Sequence, residues 1–181
     1  MEACLNEIVL EHISPVRVLE IGMHDGNTAR GIEKFFVDRG IAMEYMGIDP
    51  DDGSTRPRHV PKDGKVIVGD SAEVFEGIPS GFDLVWVDGC HCFNHVVLDT
   101  LHYARKVRPG GFICFHDINP AGQNEIEHQY HGPQTPAFGL AVNSALEAIR
   151  FPWAPWTLFG EKYPSDRSNC GTRAYRKGEP S

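Results

Sequence analysis

The sequence predicts an α/β fold, a doubly wound and mostly parallel sheet with helices on both faces. Three observations predict it. Apolar runs at 18–21, 43–48, 66–68, 82–87 and 112–115 alternate with stretches of helical spacing, as consecutive strand–helix–strand units do. The fourth run, FDLVWV, is almost continuously apolar, the pattern of a central parallel strand covered on both faces. The first run passes through Glu20-x-Gly22-x-x-x-Gly26 into a helix start. Glycine there lets the backbone approach a ligand without a Cβ in the way, and the helix that follows presents unpaired N–H groups.

Size and composition bound the functions. A chain of 181 residues with 41% apolar content is expected to form one domain, 1–181, with a substantial core. A formal charge of −8 argues against a nucleic-acid partner, because phosphate binding relies on clustered Lys and Arg. A small-molecule substrate is expected instead. No apolar run is long enough to span a bilayer and the start, MEACLNEIVLEHI, lacks a basic leader, so a cytoplasmic protein with no membrane partner is expected. Five cysteines without a regular framework fit reduced thiols.

In order along the chain, a short helix around 5–12 precedes the first strand. The glycines of the turn stand four apart and follow an acid. A dinucleotide fingerprint wants G-x-G-x-x-G, so a nicotinamide dehydrogenase is disfavoured, and a ligand with a cationic amino-acid end suits the spacing better. Asn27 or Thr28 is expected to cap the next helix, with Ala29, Ile32, Phe35 and Phe36 on its apolar face and Gly40 at its end. The second strand finishes on Asp49-Pro50. An acid at that point of a doubly wound fold meets a ribose diol, although a plain turn aspartate would look the same.

Residues 51–65, DDGSTRPRHVPKDGK, carry Arg56, Arg58 and His59 and are expected to form a solvated loop rather than a mobile lid. After the third strand, Asp70 or Ser71 should cap a helix, with Glu73 supporting an Asp70 cap. The fourth strand leads into Asp88-Gly89-Cys90-His91. The helix after it is expected to bury Phe93, Val97, Leu101, Ala104 and Val107, and Arg108-Pro109-Gly110-Gly111 to stop it. A fifth strand at 112–115 ends in His116-Asp117. Asp88 and His116-Asp117 therefore meet at neighbouring strand ends, where two carboxylates and an imidazole could bind a divalent cation. Cys90 and Cys92 flank His91 but have neither the C-x-x-C spacing nor a second pair of a zinc site, so ordinary thiols are expected.

The stretch 119–138, with His128, Tyr130 and His131, leaves from the same edge; it is read either as a substrate-selecting insertion or as a surface crossover. Val142, Ala145, Leu146 and Ile149 mark a helix, and 156–159 and 172–175 read as two closing strands. Arg173, Arg176 and Lys177 are expected on a solvated face.

The first motif resembles that of class I S-adenosylmethionine-dependent methyltransferases. Together with D-G-x-H after the fourth strand and H-D after the fifth, it resembles methyltransferase family 24, related to the metal-dependent catechol and caffeoyl O-methyltransferases. The likeness runs over residues 16–119. It implies a Rossmann-like sheet of about seven strands with an antiparallel C-terminal strand. It implies S-adenosyl-L-methionine contacts from Glu20, Gly22, Met23, Gly26, Asn27, Thr28, Asp49, Pro50, Asp70, Ser71 and Asp88. Mg²⁺ or Mn²⁺ would sit on Asp88, His116 and Asp117. The catechol branch follows its second aspartate with asparagine, where this chain has Ile118, so His116, Asn119 or water stands as the remaining ligand. His91 takes the place of that branch's catalytic lysine and would act as base beside Asp88.

The implied function is O-methylation of a small-molecule hydroxyl, on a sugar or natural product, with divalent-metal assistance. Two alternatives remain at this point: a cofactor-binding domain with other metal-dependent chemistry, and a non-catalytic partner subunit of the same fold. With so short an N-terminal cap, a homodimer could complete the substrate pocket.

Overall fold

The computed structural model describes residues 1–11, 14–55, 57–118, 138–153, 155–162 and 171–179. They form a seven-stranded sheet in the order β3-β2-β1-β4-β5-β7-β6. Its strands are β1 (Val16–Ile21), β2 (Met43–Asp49), β3 (Lys65–Val68), β4 (Phe82–Val87), β5 (Val107–His116), β6 (Trp156–Lys162) and β7 (Thr172–Lys177). The helices are α1 (Glu2–Leu10), α2 (Asn27–Val37), the short α3 (Ser71–Val74), α4 (Phe93–Tyr103) and α5 (Phe138–Ala148). Strands β1 to β5 pair in parallel, and β7 runs antiparallel to both β5 and β6. This is the Rossmann-like doubly wound sheet with an antiparallel C-terminal strand. Strand order reverses between β1 and β4, and the crevice at that reversal is where open α/β sheets bind ligands.

The apolar runs are continuous because the sheet has a core on each face. Val18, Leu84, Trp86, Phe112 and Cys114 join Leu5 and Ile8 of α1 and Ala29, Ile32 and Phe36 of α2. Their chain neighbours Leu19, Val85, Val87, Ile113 and Phe115 join Val96 and Tyr103 of α4 and Val142, Ala145 and Leu146 of α5. Full burial of each such side chain contributes about 1.5–3 kcal/mol, so the two cores fix strand register and the strand ends with it.

Four local expectations are corrected. Helix α2 is not capped by Asn27 or Thr28: Gly26 occupies the cap position at φ +76, and Asp25 Oδ1 accepts the Asn27 N–H at 3.1 Å. A left-handed glycine has no side chain to cap with, so the preceding acid does it. In α4 the buried residues are Val96, Asp99, Thr100 and Tyr103, while Phe93 is 40% exposed. Polar residues face inward because they have partners there: Ser71 Oγ donates to Asp99 Oδ1 (2.6 Å), Thr100 Oγ1 to Val96 O (2.7 Å) and Tyr103 OH to Ser71 O (2.7 Å). Helical apolar spacing misreads a face on which buried polar groups are hydrogen-bonded.

Arg108 belongs to β5, not to a helix stop, and donates to Asp83 Oδ1 at 2.5 Å and Glu11 Oε2 at 2.6 Å. Arg173, Arg176 and Lys177 are half-buried and committed, to Glu161, to Glu11 Oε1 at 2.6 Å and to Val107 O at 2.6 Å respectively. The cap of α3 is Asp70, whose Oδ1 accepts the Ala72 N–H at 2.8 Å. No helix among the described residues is long and apolar enough to cross a membrane. The stretch 119–137, including Asn119, His128, Tyr130 and His131, lies outside the described residues, as does Arg56.

Candidate active site

The glycine turn is held against the end of β4. Gly22 N–H donates to Ile48 O and Asp88 N–H to Ile21 O, both at 2.9 Å, so β1, β2 and β4 fix one another at their C-terminal ends. Gly22 has φ +81, and a Cβ there would come 2.2 Å from Asp88 O. Only glycine fits this close crossing.

Four titratable side chains converge beside it. His116 Nδ1 lies 3.2 Å from Asp88 Oδ1 and 3.1 Å from Asp117 Oδ1. His91 Nε2 lies 3.0 Å from Asp117 Oδ2 and 3.6 Å from Asp88 Oδ1. Asp117 leaves β5 at φ +55, a left-handed conformation that a short polar side chain tolerates. Trp86 Nε1 adds a contact of 3.4 Å to Asp88 Oδ2, and its ring lies 5.7 Å from that of His116. Burial alone would raise the Asp88 carboxyl, but hydrogen bonds and charge from His116 and His91 hold it down at about 2. Burial likewise works against protonation of His116, yet Asp117 and Asp88 raise it to about 10.

These residues fit a divalent cation. Ligand atoms of Asp88, His116 and Asp117 lie within 4.8 Å of one another. Asp117 Oδ1 is buried with His116 Nδ1 3.1 Å away but no aligned hydrogen bond, an acceptor that a cation would satisfy. Two carboxylates suit Mg²⁺, and the imidazole widens the choice toward Mn²⁺.

The remaining predicted site residues separate into two groups. Asp49 is 7% exposed at the end of β2 and faces the turn: its Oδ2 accepts His24 N–H and its Oδ1 accepts Asp51 N–H, both at 2.9 Å. Asp70 and Ser71 stand at the end of β3, the serine hydroxyl committed to Asp99. Pro50 is exposed, and Thr28 lies half-buried in the first turn of α2. Asn27 is exposed and hydrogen-bonded to Asp25 and Arg30. The Met23 side chain, by contrast, is core: it is 2% exposed, and its Sδ occupies the space above Gly47. Any ligand contact there belongs to the Met23 backbone.

Glu20 is 1% exposed beneath the turn and accepts a hydrogen bond from Tyr45 OH at 2.5 Å. Burial pushes its carboxyl from 4.5 up to about 8 against that bond, with nearby carboxylates adding to the rise. Between those values the folded chain keeps a proton that the unfolded chain has lost, so this group's contribution to stability falls as pH rises from 4.5 to about 8. Glu20→Gln is therefore expected to gain in Tm relative to wild type across that window, with the difference smallest at its acid end; thermal melts at both ends check it. A difference independent of pH would contradict the buried, protonated state.

Sequence reasoning missed Arg58. The 51–65 stretch is solvated only in part: Asp52, Ser54, Thr55 and Pro57 are exposed, but Arg58 is 6% exposed in its side chain, with its guanidinium 3.5 Å from Asp49 Oδ1. His59 N–H donates to Asp25 O (2.9 Å), its ring pairs with Glu33 (2.7 Å), and its carbonyl lies where a Gly26 Cβ would be. The cluster of bases in the loop was the available signal; its acidic partners are distant in sequence.

A cavity of about 430 Å³ opens between the start of α1 and β6–β7. Thr172 on its wall pairs with His116 in the sheet, although Asp88, His91, His116 and Asp117 do not themselves line the cavity.

A family model described as "Methyltransferase domain" matches residues 19–118. Among solved structures, the chain is similar to the methyltransferase PaMTH1 of Podospora anserina with bound SAH, at 15% identity over 98% of this chain and 77% of that one, TM-score 0.65. It is similar to the O-methyltransferase TomG of Streptomyces achromogenes in complex with SAM, at 14% identity over 98% and 80%, TM-score 0.61. It is also similar to MycE methyltransferase of the mycinamycin biosynthetic pathway, in complex with Mg, SAH and mycinamycin VI, at 25% identity and TM-score 0.56; this match covers 90% of the chain but 45% of MycE. No curated protein matches by sequence.

Proposed function

The chain belongs to this family of methyltransferase domains and is a class I S-adenosylmethionine-dependent methyltransferase, and on that premise we propose that it methylates a hydroxyl oxygen of a small molecule, a sugar or natural product, with a divalent cation. The observation that carries this reading is the convergence of Asp88, His91, His116 and Asp117 at the strand edge beside the Gly22 turn. MycE, which carries Mg together with SAH and a natural product, supports it.

When bound, S-adenosylmethionine supplies an electrophilic methyl group on a sulfonium, and a divalent cation supplies charge that lowers the pKa of a neighbouring hydroxyl. Asp88, His116 and Asp117 would hold that cation. The His91 imidazole accepts the hydroxyl proton, and the imidazolium so formed is stabilised by Asp117, whose Oδ2 lies 3.0 Å from Nε2. The turn from Gly22 to Gly26 holds the methionine end and Asp49 the ribose diol, while Asp70 and Ser71 line the adenine edge. Placing the sulfonium and acceptor on one strand edge lets the acceptor oxygen attack in line with the bond that breaks. The cavity beside Thr172 is the acceptor's place in this reading.

Asp49→Ala is expected to weaken cofactor affinity by roughly 10–150-fold, the equivalent of about 1.5–3 kcal/mol for hydrogen bonds to a charged group. Equilibrium titration of a folded variant checks it, and unchanged affinity would remove Asp49 from the ribose site. The function itself is tested by incubating the protein with S-adenosylmethionine and a panel of hydroxyl, amine and thiol acceptors, with Mg²⁺, Mn²⁺ or chelator. S-adenosylhomocysteine should form in proportion to an O-methyl product and only with metal. Turnover confined to amines or thiols would overturn the O-methyl assignment, and turnover indifferent to chelator would overturn the cation's part.

A further inference from the structure

We propose that Cys90, Cys92 and His95 form a second metal site, for a thiophilic divalent cation of the zinc class, which fastens the loop carrying His91. His91 Nε2 lies 3.0 Å from Asp117 Oδ2 and 3.6 Å from Asp88 Oδ1, and the two cysteines bracket His91 in the chain. The spacing C-x-C-x-x-H lacked a recognisable third ligand in the sequence, and helix α4 supplies it. Cys92 is the residue immediately before α4 and His95 the third residue within it, so the two share one face of the first turn.

The three ligand atoms are near enough to share one ion. Ligand atoms of the three residues all lie within 4.8 Å of one another, with the two sulfurs 2.9 Å apart. Bonds of about 2.3 Å to a tetrahedral zinc put two sulfurs about 3.8 Å apart, so loading asks the thiols to part by about 1 Å. The Cys92 N–H already donates to Cys90 Sγ at 3.4 Å, and the start of α4 favours a thiolate at Cys92.

The histidine carries the independent observation. His95 Nδ1 is buried with no hydrogen-bond partner among the described residues, while Nε2 lies 3.8 Å from Asp70 Oδ2. Asp70 is itself fixed by the Ala72 N–H. One ring nitrogen turned to a carboxylate and the other left for a ligand is the arrangement of a metal-bound imidazole. Two thiolates neutralise a divalent cation and select a soft one, whereas the neighbouring carboxylate set selects a hard one. The two sites therefore sort different ions.

The test uses reduced, chelator-stripped full-length protein titrated with Co²⁺ in excess Mg²⁺. One equivalent of Co²⁺ should develop thiolate-to-cobalt charge-transfer absorption and tetrahedral visible bands, and Zn²⁺ should abolish them one for one. Cys90→Ser and Cys92→Ser should lose the charge-transfer signal, and Asp117→Asn should keep it, which separates this site from the carboxylate cluster. In wild-type protein, which needs no variant to fold, Zn²⁺ should protect Cys90 and Cys92 from alkylation as read by peptide mass. Absence of the charge-transfer signal in wild type, its survival in both serine variants, or alkylation unaffected by Zn²⁺ would each overturn the proposal. So would a Cys90–Cys92 disulfide that forms in place of metal binding.

Discussion

His91→Ala is expected to lower kcat by about a hundred- to ten-thousand-fold, the usual contribution of a positioned general base, while S-adenosylmethionine affinity stays near wild type. The imidazole is 9% exposed and fixed by carboxylates on two different strand ends, which is the placement of a group held for use rather than for solvation. The proposed cofactor contacts are the Gly22–Gly26 turn, Asp49, Asp70 and Ser71, so loss of His91 leaves them in place. The signature is therefore a fall in kcat with little change in cofactor binding, read by steady-state kinetics alongside equilibrium titration. A folded variant with normal turnover would remove His91 as the base.

Gly22→Ala is expected to cost both stability and cofactor binding. The left-handed φ of +81 costs a residue with a Cβ about 1–2 kcal/mol. The Cβ would also lie 2.2 Å from Asp88 O and 2.6 Å from the Gly89 Cα, and relieving such overpacking costs about 1–3 kcal/mol. At this chain length the sum lowers Tm by roughly 5–20 °C. Relief must come from backbone, so Asp88 moves and the cation site moves with it. Gly31→Ala is the control: a Cβ there meets nothing within 4 Å, and Tm should hold or rise. Equal behaviour of the two variants in thermal melts would contradict the crossing described at Gly22.

What could be read in advance divides along the range of the interactions. The apolar runs placed all five parallel strands, because burial on both faces leaves a strong local signature. Asp88, His91, His116 and Asp117 could be brought together in advance because strand ends are local features and β4 and β5 are neighbours. Hidden from the sequence were the pairings that depend on distant partners. Arg58 is buried because Asp49 waits for it, and the inward face of α4 is polar because Ser71 receives it from another strand end. Arg108 is held in β5 by Asp83 and Glu11, so a Pro-Gly-Gly sequence that punctuates helices sits inside a strand. Met23 looked like a turn residue and is a core one, since Gly47 of β2 leaves room for its sulfur. His95 carried no motif at all until α4 set it beside Cys92.

The most direct measurement is isothermal titration of S-adenosylmethionine and of Mg²⁺ into wild-type protein and into Asp88→Asn and Asp117→Asn variants. Wild-type protein should bind one equivalent of each, and the variants should lose the Mg²⁺ heat while folded. Absence of S-adenosylmethionine binding by wild-type protein, or Mg²⁺ binding unchanged in both variants, would contradict a methyl-transfer site built on this strand edge.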